Sequence, residues 1–148
     1  YLTPDEYFQF VARISGTPDE EYQSFLARFE HFMAGELMGQ NKLIRNLSAG
    51  NKQKVGIVSA MLLRPKVLIL DEPFNFLDPS SQSAIKNLLL EYNRETGATI
   101  LVSSHNLQHT VDISPRIALL ENGVIIRDID NADGKAQEEL ENYFKITD

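Results

Sequence analysis

Apolar and polar residues alternate along the first thirty positions with the spacing of two short amphipathic helices. Thr3-Pro4-Asp5-Glu6 and Thr17-Pro18-Asp19-Glu20 share one order of residues. Each has a Thr N-cap, Pro at the first helical position and Glu three residues after the cap, which predicts a capping box. Apolar side chains then recur at helical spacing: Tyr7, Phe10, Val11 and Ile14, followed by Tyr22, Phe25, Leu26 and Phe29.

Helix and strand patterns alternate in the middle of the chain. A helix is predicted from near Ser48 to Leu63, where Pro65 closes it. Residues 67–70 form an unbroken aliphatic run, which predicts a strand buried on both faces. A helical stripe and the strand Thr99–Ser103 follow, so the order predicts a parallel sheet with a right-handed crossover. The stripe comprises Ile85, Leu88, Leu89 and Tyr92.

The last part of the chain has the pattern of a hairpin and a helix. Residues 116–120 and 124–127 flank Asn122-Gly123, a strong signal for a two-residue hairpin turn. The following helix is predicted from the spacing of Ala136, Leu140, Tyr143 and Phe144. The sequence therefore divides into a helical subdomain, residues 1–46, and part of an α/β core, residues 47–148.

Composition narrows the class of protein. The chain has 148 residues, of which 43% are hydrophobic, so it can build one domain with a real core. Its net charge of −7 and its 14 scattered basic residues argue against a general nucleic-acid binder. It has no cysteine, which excludes a disulfide framework and a thiolate metal site. The longest apolar runs are too short for a membrane span.

Two adjacent carboxylates, Asp71 and Glu72, follow the aliphatic strand directly. The carboxyl edge of a parallel sheet is where α/β folds bind ligands. An aspartate there can hold Mg²⁺, and the next glutamate can orient or deprotonate an attacking water. The alternative is a turn with two solvated acids before Pro73.

A histidine, His105, follows the second strand and can donate a hydrogen bond to a phosphate oxygen. A surface or loop histidine is the alternative. The spacing from His105 to His109 also permits a pair of metal ligands, but the Glu of H-E-x-x-H and a third ligand are missing.

Small residues open the predicted helix at Ser48-Ala49-Gly50-Asn51. The backbone N–H groups at a helix start can bind an anion. Ser48 is equally a good N-cap for a helix that binds nothing. Asp78, before Pro79, is likewise a candidate N-cap of the next helix.

Three segments have the order and spacing of the ATPase domains of ABC transporters, which the chain resembles. These are Leu47-Ser48-Ala49-Gly50-Asn51, residues 67–73 and residues 102–105, with 24 positions from Leu47 to Asp71 and 34 from Asp71 to His105. The resemblance assigns them as the signature segment, the Walker B strand with its catalytic glutamate, and the switch histidine. Phe76-Leu77-Asp78 stands at the family's D-loop. Ala49 and Asn51 depart from the usual L-S-G-G-Q, and the P-loop motif G-x-x-x-x-G-K-[ST] and the Q-loop do not occur in the sequence.

The resemblance implies a P-loop NTPase-like α/β fold, here a partial core with a mainly parallel sheet plus the helical subdomain. It also implies a site for ATP and Mg²⁺ at a dimer interface. Glu72 and His105 are then catalytic, and Asp71 holds the metal. The implied nucleotide-binding residues are Ser48, Ala49, Gly50, Asn51 and Asp78. Because the first residue is Tyr1 rather than Met, we expect a piece of a longer protein, inactive as an ATPase by itself.

The whole protein, by the same resemblance, couples ATP hydrolysis to a membrane permease. Its partners are then a second ATPase subunit and the permease, which the helical subdomain meets, and no nucleic acid is expected. The implied location is the cytoplasmic face of the cell membrane, reached through the permease. Two alternatives stay open: a soluble ABC protein that acts on ribosomes or DNA, which Asn75 favours slightly, and a non-catalytic interaction module.

Overall fold

The structure is a computed structural model that describes residues 1–147, with side chains through residue 145. Its elements are α1 (Pro4–Ile14), α2 (Asp19–Ala27), α3 (Glu30–Met33), α4 (Ala49–Leu62), β1 (Val67–Asp71), α5 (Pro79–Thr96), β2 (Thr99–Ser103), α6 (Leu107–Ile113), β3 (Arg116–Glu121), β4 (Val124–Asp130) and α7 (Ala136–Thr147). The chain divides into two compact units: unit 1 is Tyr1–Leu101, and unit 2 begins at Val102. None of the described helices is both long and apolar enough to cross a membrane. The subdomain boundary at residue 46 stays a prediction.

Helix α1 begins where the sequence predicts but buries a different face. The Thr3 side chain accepts a hydrogen bond from the Glu6 N–H, and the Glu6 carboxylate accepts one from the Thr3 N–H at 2.8 Å, so this capping box is confirmed. The predicted stripe is confirmed at Val11, which is buried, but it is wrong at Phe10 and Ile14, which are 53% and 65% exposed. The buried residues are Pro4, Phe8, Val11 and Ala12. They lie on the adjacent helical face, which packs against α4.

Helix α2 does not have the predicted capping box. Its N-cap is Pro18, which makes no side-chain cap bond, and the helix begins at Asp19. The Thr17 N–H donates instead to the Ala12 carbonyl at 3.0 Å. The backbone of Thr17 is therefore held by the end of α1, and Thr17 does not act as the cap of α2. The predicted apolar stripe is confirmed, since its members are all buried: Tyr22, Phe25, Leu26 and Phe29.

Helix α4 is central to unit 1 and packs against α1, α2, α3 and β1. Ser48 is its N-cap and Leu63 its C-cap, as the sequence predicts. The most deeply buried side chains of unit 1 include Phe8, Phe29, Phe32, Leu37, Val58, Met61 and Ile85. The α5 stripe is confirmed at Ile85, Leu89 and Tyr92.

Strands β1 and β2 are neighbours in a two-stranded sheet. The Thr99 N–H donates to the carbonyl of Lys66, which precedes β1, at 2.9 Å. Because both residues stand at the beginning of their strands, the strands run in the same direction. The prediction that β1 is buried on both faces is wrong, since Val67 and Ile69 are 59% and 67% exposed while the alternate side chains are buried. The described residues cover only one face of this strand.

Unit 2 contains the predicted hairpin. β3 and β4 pair antiparallel, with Arg116 opposite Asp130. Asn122 and Gly123 form the turn with φ of 49° and 81°. The core of the unit comprises Ile117, Ile129, Ala136 and Leu140. The short helix α6, capped by Asn106, is not predicted by the sequence, because 7 residues are too few to display a helical period.

Candidate functional site

A cavity of about 510 Å³ opens in unit 1 beside the start of α4. Its walls come from α3 and the loop after it, the first turns of α4, and the segment that leads into α5. Four predicted nucleotide-binding residues line it: Ser48, Gly50, Asn51 and Asp78. Ala49, Asp71 and Glu72 are described but are not part of this lining.

The first turn of α4 is capped from within the chain. The Asn51 N–H donates to the Ser48 Oγ at 3.2 Å. The Asn51 side-chain amide donates to the Glu36 carboxylate at 3.1 Å. Ser48 and Ala49 are exposed. The N-cap role of Ser48 is thus confirmed, and its contact with a nucleotide stays a prediction.

Gly50 lies against the loop that follows β1. A Cβ at this position would stand 2.5 Å from the Phe76 carbonyl oxygen, a distance that real Cβ atoms do not tolerate. Phe76 has φ of 65° and is 74% exposed. Glycine at position 50 is therefore required by a close backbone approach within this chain.

The two acidic candidates stand at the end of β1. Asp71 is its last residue and is exposed, while Glu72 is half-buried. Glu72 has φ of 49°, a left-handed conformation that costs a non-glycine residue about 1–2 kcal/mol. Gln53 on α4 donates its side-chain amide to the Glu72 carbonyl at 2.9 Å. The turn that presents Glu72 is thus held by α4.

Asp78 caps α5, as predicted. Its carboxylate accepts hydrogen bonds from the N–H groups of Ser80 at 3.1 Å and Ser81 at 3.3 Å. The pKa of Asp78 lies below its usual value, chiefly because the Ser81 hydroxyl also donates to it, with a further contribution from the charge of Lys54. Lys54 is only 4% exposed, and its Nζ lies 5.8 Å from the centre of the Phe32 ring. The carboxylate of Asp78 is therefore ionised at neutral pH.

His105 follows β2 in unit 2 and is exposed. Within the described part of the chain, no group of three or more His, Asp or Glu side chains is placed to hold a metal ion. The pairing of His105 with His109 as a metal site thus gains no third ligand among residues 1–147. The role of His105 at a phosphate stays a prediction.

Sequence reasoning did not assign roles to Glu36, Gln53 and Lys54. Gln53 and Lys54 follow Gly50 by three and four residues, which places all three on one side of a helix. That spacing could have indicated that Gln53 and Lys54 contact the same segment of the chain that packs against Gly50. Glu36 lies in an irregular loop, and no pattern in the sequence links it to Asn51.

Comparisons with known proteins agree on one family. A family model described as "AAA domain, putative AbiEii toxin, Type IV TA system" matches residues 16–112. The methionine import ATP-binding protein MetN of Carboxydothermus hydrogenoformans is 34% identical over 119 residues, which are 80% of this chain and 35% of that protein. The chain thus spans about a third of the length of this curated relative.

Solved structures of ABC-type ATP-binding proteins also match this chain. An ATP-binding subunit of an ABC transporter matches with a TM-score of 0.82 and 30% identity, covering 99% of this chain and 63% of that one. The dimeric cassette MJ0796, in a post-hydrolysis state with ADP and Pi, matches with a TM-score of 0.65 and 25% identity, covering 78% and 49%. The predicted P-loop NTPase-like α/β fold is confirmed by these neighbours. The chain belongs to the family that the matching model describes, and its relatives and structural neighbours identify it as an ABC-type nucleotide-binding domain.

Proposed function

We propose that the full-length protein binds and hydrolyses Mg²⁺-ATP as the ATPase subunit of an ABC transporter. The observation that carries this proposal is the cavity that the start of α4 and Asp78 both line. The segments that we propose as the signature segment and the D-loop, about 30 positions apart in the sequence, thus contribute to the same cavity. The MetN relative is an ATP-binding protein for methionine import, and the MJ0796 cassette holds ADP and Pi.

The start of α4 is suited to a phosphate of a nucleotide held by a second subunit. The first N–H groups of a helix lack intrahelical partners and face outward with a partial positive charge. Ser48 and Ala49 are exposed at this end, so a partner can reach them. Because a helix end contributes only about 0.3–1 kcal/mol, recognition depends on the assembled dimer rather than on α4 alone.

The carboxylates after β1 supply the hydrolytic chemistry in this proposal. Mg²⁺ is usually bound by one or two carboxylates together with substrate phosphates and waters, and Asp71 fits as the single protein carboxylate. The bound Mg²⁺ would neutralise charge on the phosphates. Glu72 orients or deprotonates the attacking water, and His105 donates to a γ-phosphate oxygen.

The partners in this proposal are a second ATPase subunit and an integral membrane permease. The MJ0796 neighbour was solved as a dimer, which supports the first. We infer that residues 1–46 form the helical subdomain that meets the permease, at the cytoplasmic face of the membrane. ATP hydrolysis would then change the conformation of the permease.

Glu72→Gln in the full-length protein tests the catalytic assignment. The amide keeps the size of the side chain but cannot accept a proton, and general-base catalysis contributes about 10²- to 10⁴-fold. We expect ATP hydrolysis to fall by that factor while ATP binding and thermal stability remain. Glu20→Gln, an exposed position on α2, makes the same charge change and should keep full activity. Normal turnover in Glu72→Gln would contradict the proposal.

A further inference from the structure

We propose that Gln53 is a positioning residue for Glu72: its side-chain amide holds the Glu72 carbonyl and so sets the turn from which the Glu72 carboxylate acts. The inference rests on the proposed function for the role of Glu72. The contact itself is independent of that role. It joins the second turn of α4 to the residue that follows β1.

The length and the partial burial of this hydrogen bond allow it to hold the Glu72 carbonyl in place. Gln53 Nε2 lies 2.9 Å from the Glu72 carbonyl oxygen, the middle of the normal range. Both residues are half-buried, so water competes only partly for the bond. A neutral hydrogen bond in such surroundings contributes only modestly to stability. Here that contribution fixes the position of one carbonyl group, that of Glu72.

The backbone at Glu72 needs such a constraint. Its φ of 49° is a backbone conformation that residues other than glycine seldom adopt. Such conformations persist only where the surrounding structure holds them. If the carbonyl were released, the turn could relax towards a more common conformation, and the carboxylate would change direction.

One side of α4 contacts this loop at two places. Gly50 meets the Phe76 carbonyl, and Gln53, three residues later on the same side of the helix, binds the Glu72 carbonyl. Phe76 also has a left-handed backbone, with φ of 65°. The helix that carries Ser48 at its start therefore binds the carbonyl of one strained position, Glu72, and approaches the carbonyl of the other, Phe76, closely. A shift of α4 would alter the direction of Glu72.

The test uses the full-length protein with Gln53→Leu, Gln53→Glu and the control Gln82→Leu. Gln82 also donates its amide to a carbonyl of this loop, that of Phe74 at 3.3 Å. For Gln53→Leu we expect kcat to fall about 3- to 10-fold, the effect of one neutral hydrogen bond, with the KM for ATP within about two-fold of wild type. Gln82→Leu should keep kcat within about two-fold.

Gln53→Glu adds a readout that a purely structural role would not move. A carboxylate cannot donate to the Glu72 carbonyl, whereas a protonated carboxyl can. The carbonyl oxygen disfavours the charged form, so the pKa of the new carboxyl should lie above the ordinary value of about 4.3. The ratio of kcat for Gln53→Glu to that of wild type should therefore rise as the pH falls from about 8 to about 5.5. The same ratio for Gln53→Leu should stay flat.

The ¹³C resonance of the Glu72 carbonyl gives a readout that needs no activity. It should move in Gln53→Leu and return towards its wild-type position in Gln53→Glu at low pH. If the wild-type protein does not hydrolyse ATP, the proposed function fails, and this resonance still decides whether Gln53 holds Glu72. An unmoved resonance, a wild-type kcat in Gln53→Leu, an equal fall in Gln82→Leu, or a flat ratio for Gln53→Glu would each overturn the proposal.

Discussion

Gly50 shows how a single residue connects the signature segment to the loop after β1. Its hydrogen replaces a Cβ that would stand 2.5 Å from the Phe76 carbonyl oxygen. Gly56, two turns further along α4, has nothing within 4 Å of its own Cβ position. The two glycines share one helix but differ in what a methyl group would meet.

Gly50→Ala and Gly56→Ala should therefore change stability in opposite directions. In Gly50→Ala the backbone must shift to relieve the clash, and overpacking of this kind costs about 1–3 kcal/mol. Gly56→Ala should stabilise by about 0.4–1 kcal/mol, because alanine restricts the unfolded chain and fits a helix interior. Urea unfolding measures both. Equal effects would mean that the contact with Phe76 does not constrain the fold.

The charge of Asp78 also acts at the scale of one residue. Its pKa is lowered mainly by the Ser81 hydroxyl, with help from the Ser81 N–H and Lys54. A carboxyl with a lowered pKa in the folded state stabilises above its unfolded pKa of about 3.9, and the contribution is lost as the pH falls through the folded value.

Asp78→Ala should accordingly lower the thermal midpoint at pH 7, and the difference from wild type should shrink as the pH falls below about 4. The lost cap of α5 is the cause. Asp133→Ala removes an exposed loop carboxylate and serves as the control. A difference for Asp78→Ala that does not depend on pH would show that its charge is not what stabilises α5.

At the scale of elements, the same four-residue sequence, Thr-Pro-Asp-Glu, precedes α1 and α2 but gives two different helix starts. Thr3 caps α1 reciprocally with Glu6, whereas α2 begins after an uncapped Pro18. The Thr17 N–H is bound to the Ala12 carbonyl, and its hydroxyl lies 2.7 Å from that of Ser15. The same four-residue motif thus caps a helix only where the preceding chain leaves it available.

Thr3→Ala and Thr17→Ala form a matched pair for this difference. Removing the Thr3 cap should cost about 0.5–2 kcal/mol of unfolding free energy. Thr17→Ala removes a hydroxyl that caps no helix and bonds with the Ser15 hydroxyl near the surface, so its effect should stay within about 0.5 kcal/mol. Chemical denaturation compares them directly. A larger loss for Thr17→Ala would indicate that the capping box forms in α2.

At the scale of the whole molecule, one face of the β1–β2 sheet is apolar and open. Val67, Ile69 and Leu101 are each about 60% exposed or more. The 119 matched residues are only 35% of the MetN relative, so that protein extends well beyond this chain. We expect the rest of the full-length protein to cover this face, as an ATPase core with a complete sheet would.

The proposed dimer predicts that Ser48 acts on the nucleotide of the other subunit. In the full-length protein, Ser48→Arg should leave ATP binding by the monomer intact but block ATP-induced dimerisation and turnover, since a bulky cation would occupy the γ-phosphate position. Thermal unfolding of the variant measures the cost of the lost cap separately.

Mixing Ser48→Arg with a subunit whose P-loop is inactive tests the assignment further. A mixed dimer holds one site damaged twice and one site with neither lesion. Partial ATPase activity should therefore return relative to either variant alone. If both variants dimerise normally with ATP and mixing restores nothing, Ser48 does not act across the interface.

Much of the fold could be predicted because local patterns report local structure. The first capping box, the helix that starts at Ser48, the cap at Asp78 and the Asn122-Gly123 turn depend on residues a few positions apart, and the structure has all of them. The spacing of three motifs along the chain likewise indicates the family, because it depends on residue order alone. Short-range chemistry and motif order were thus determined by the sequence itself.

Contacts between distant segments were decided only by the tertiary structure. Two apolar faces of α1 compete in the sequence, and packing against α4 selects the one with Phe8. An aliphatic run cannot show whether both faces of β1 will be covered. The bond from Gln53 to Glu72 and the approach of Phe76 to Gly50 join residues 19 or more positions apart. Such pairs leave no periodic trace, because their proximity depends on how whole elements pack.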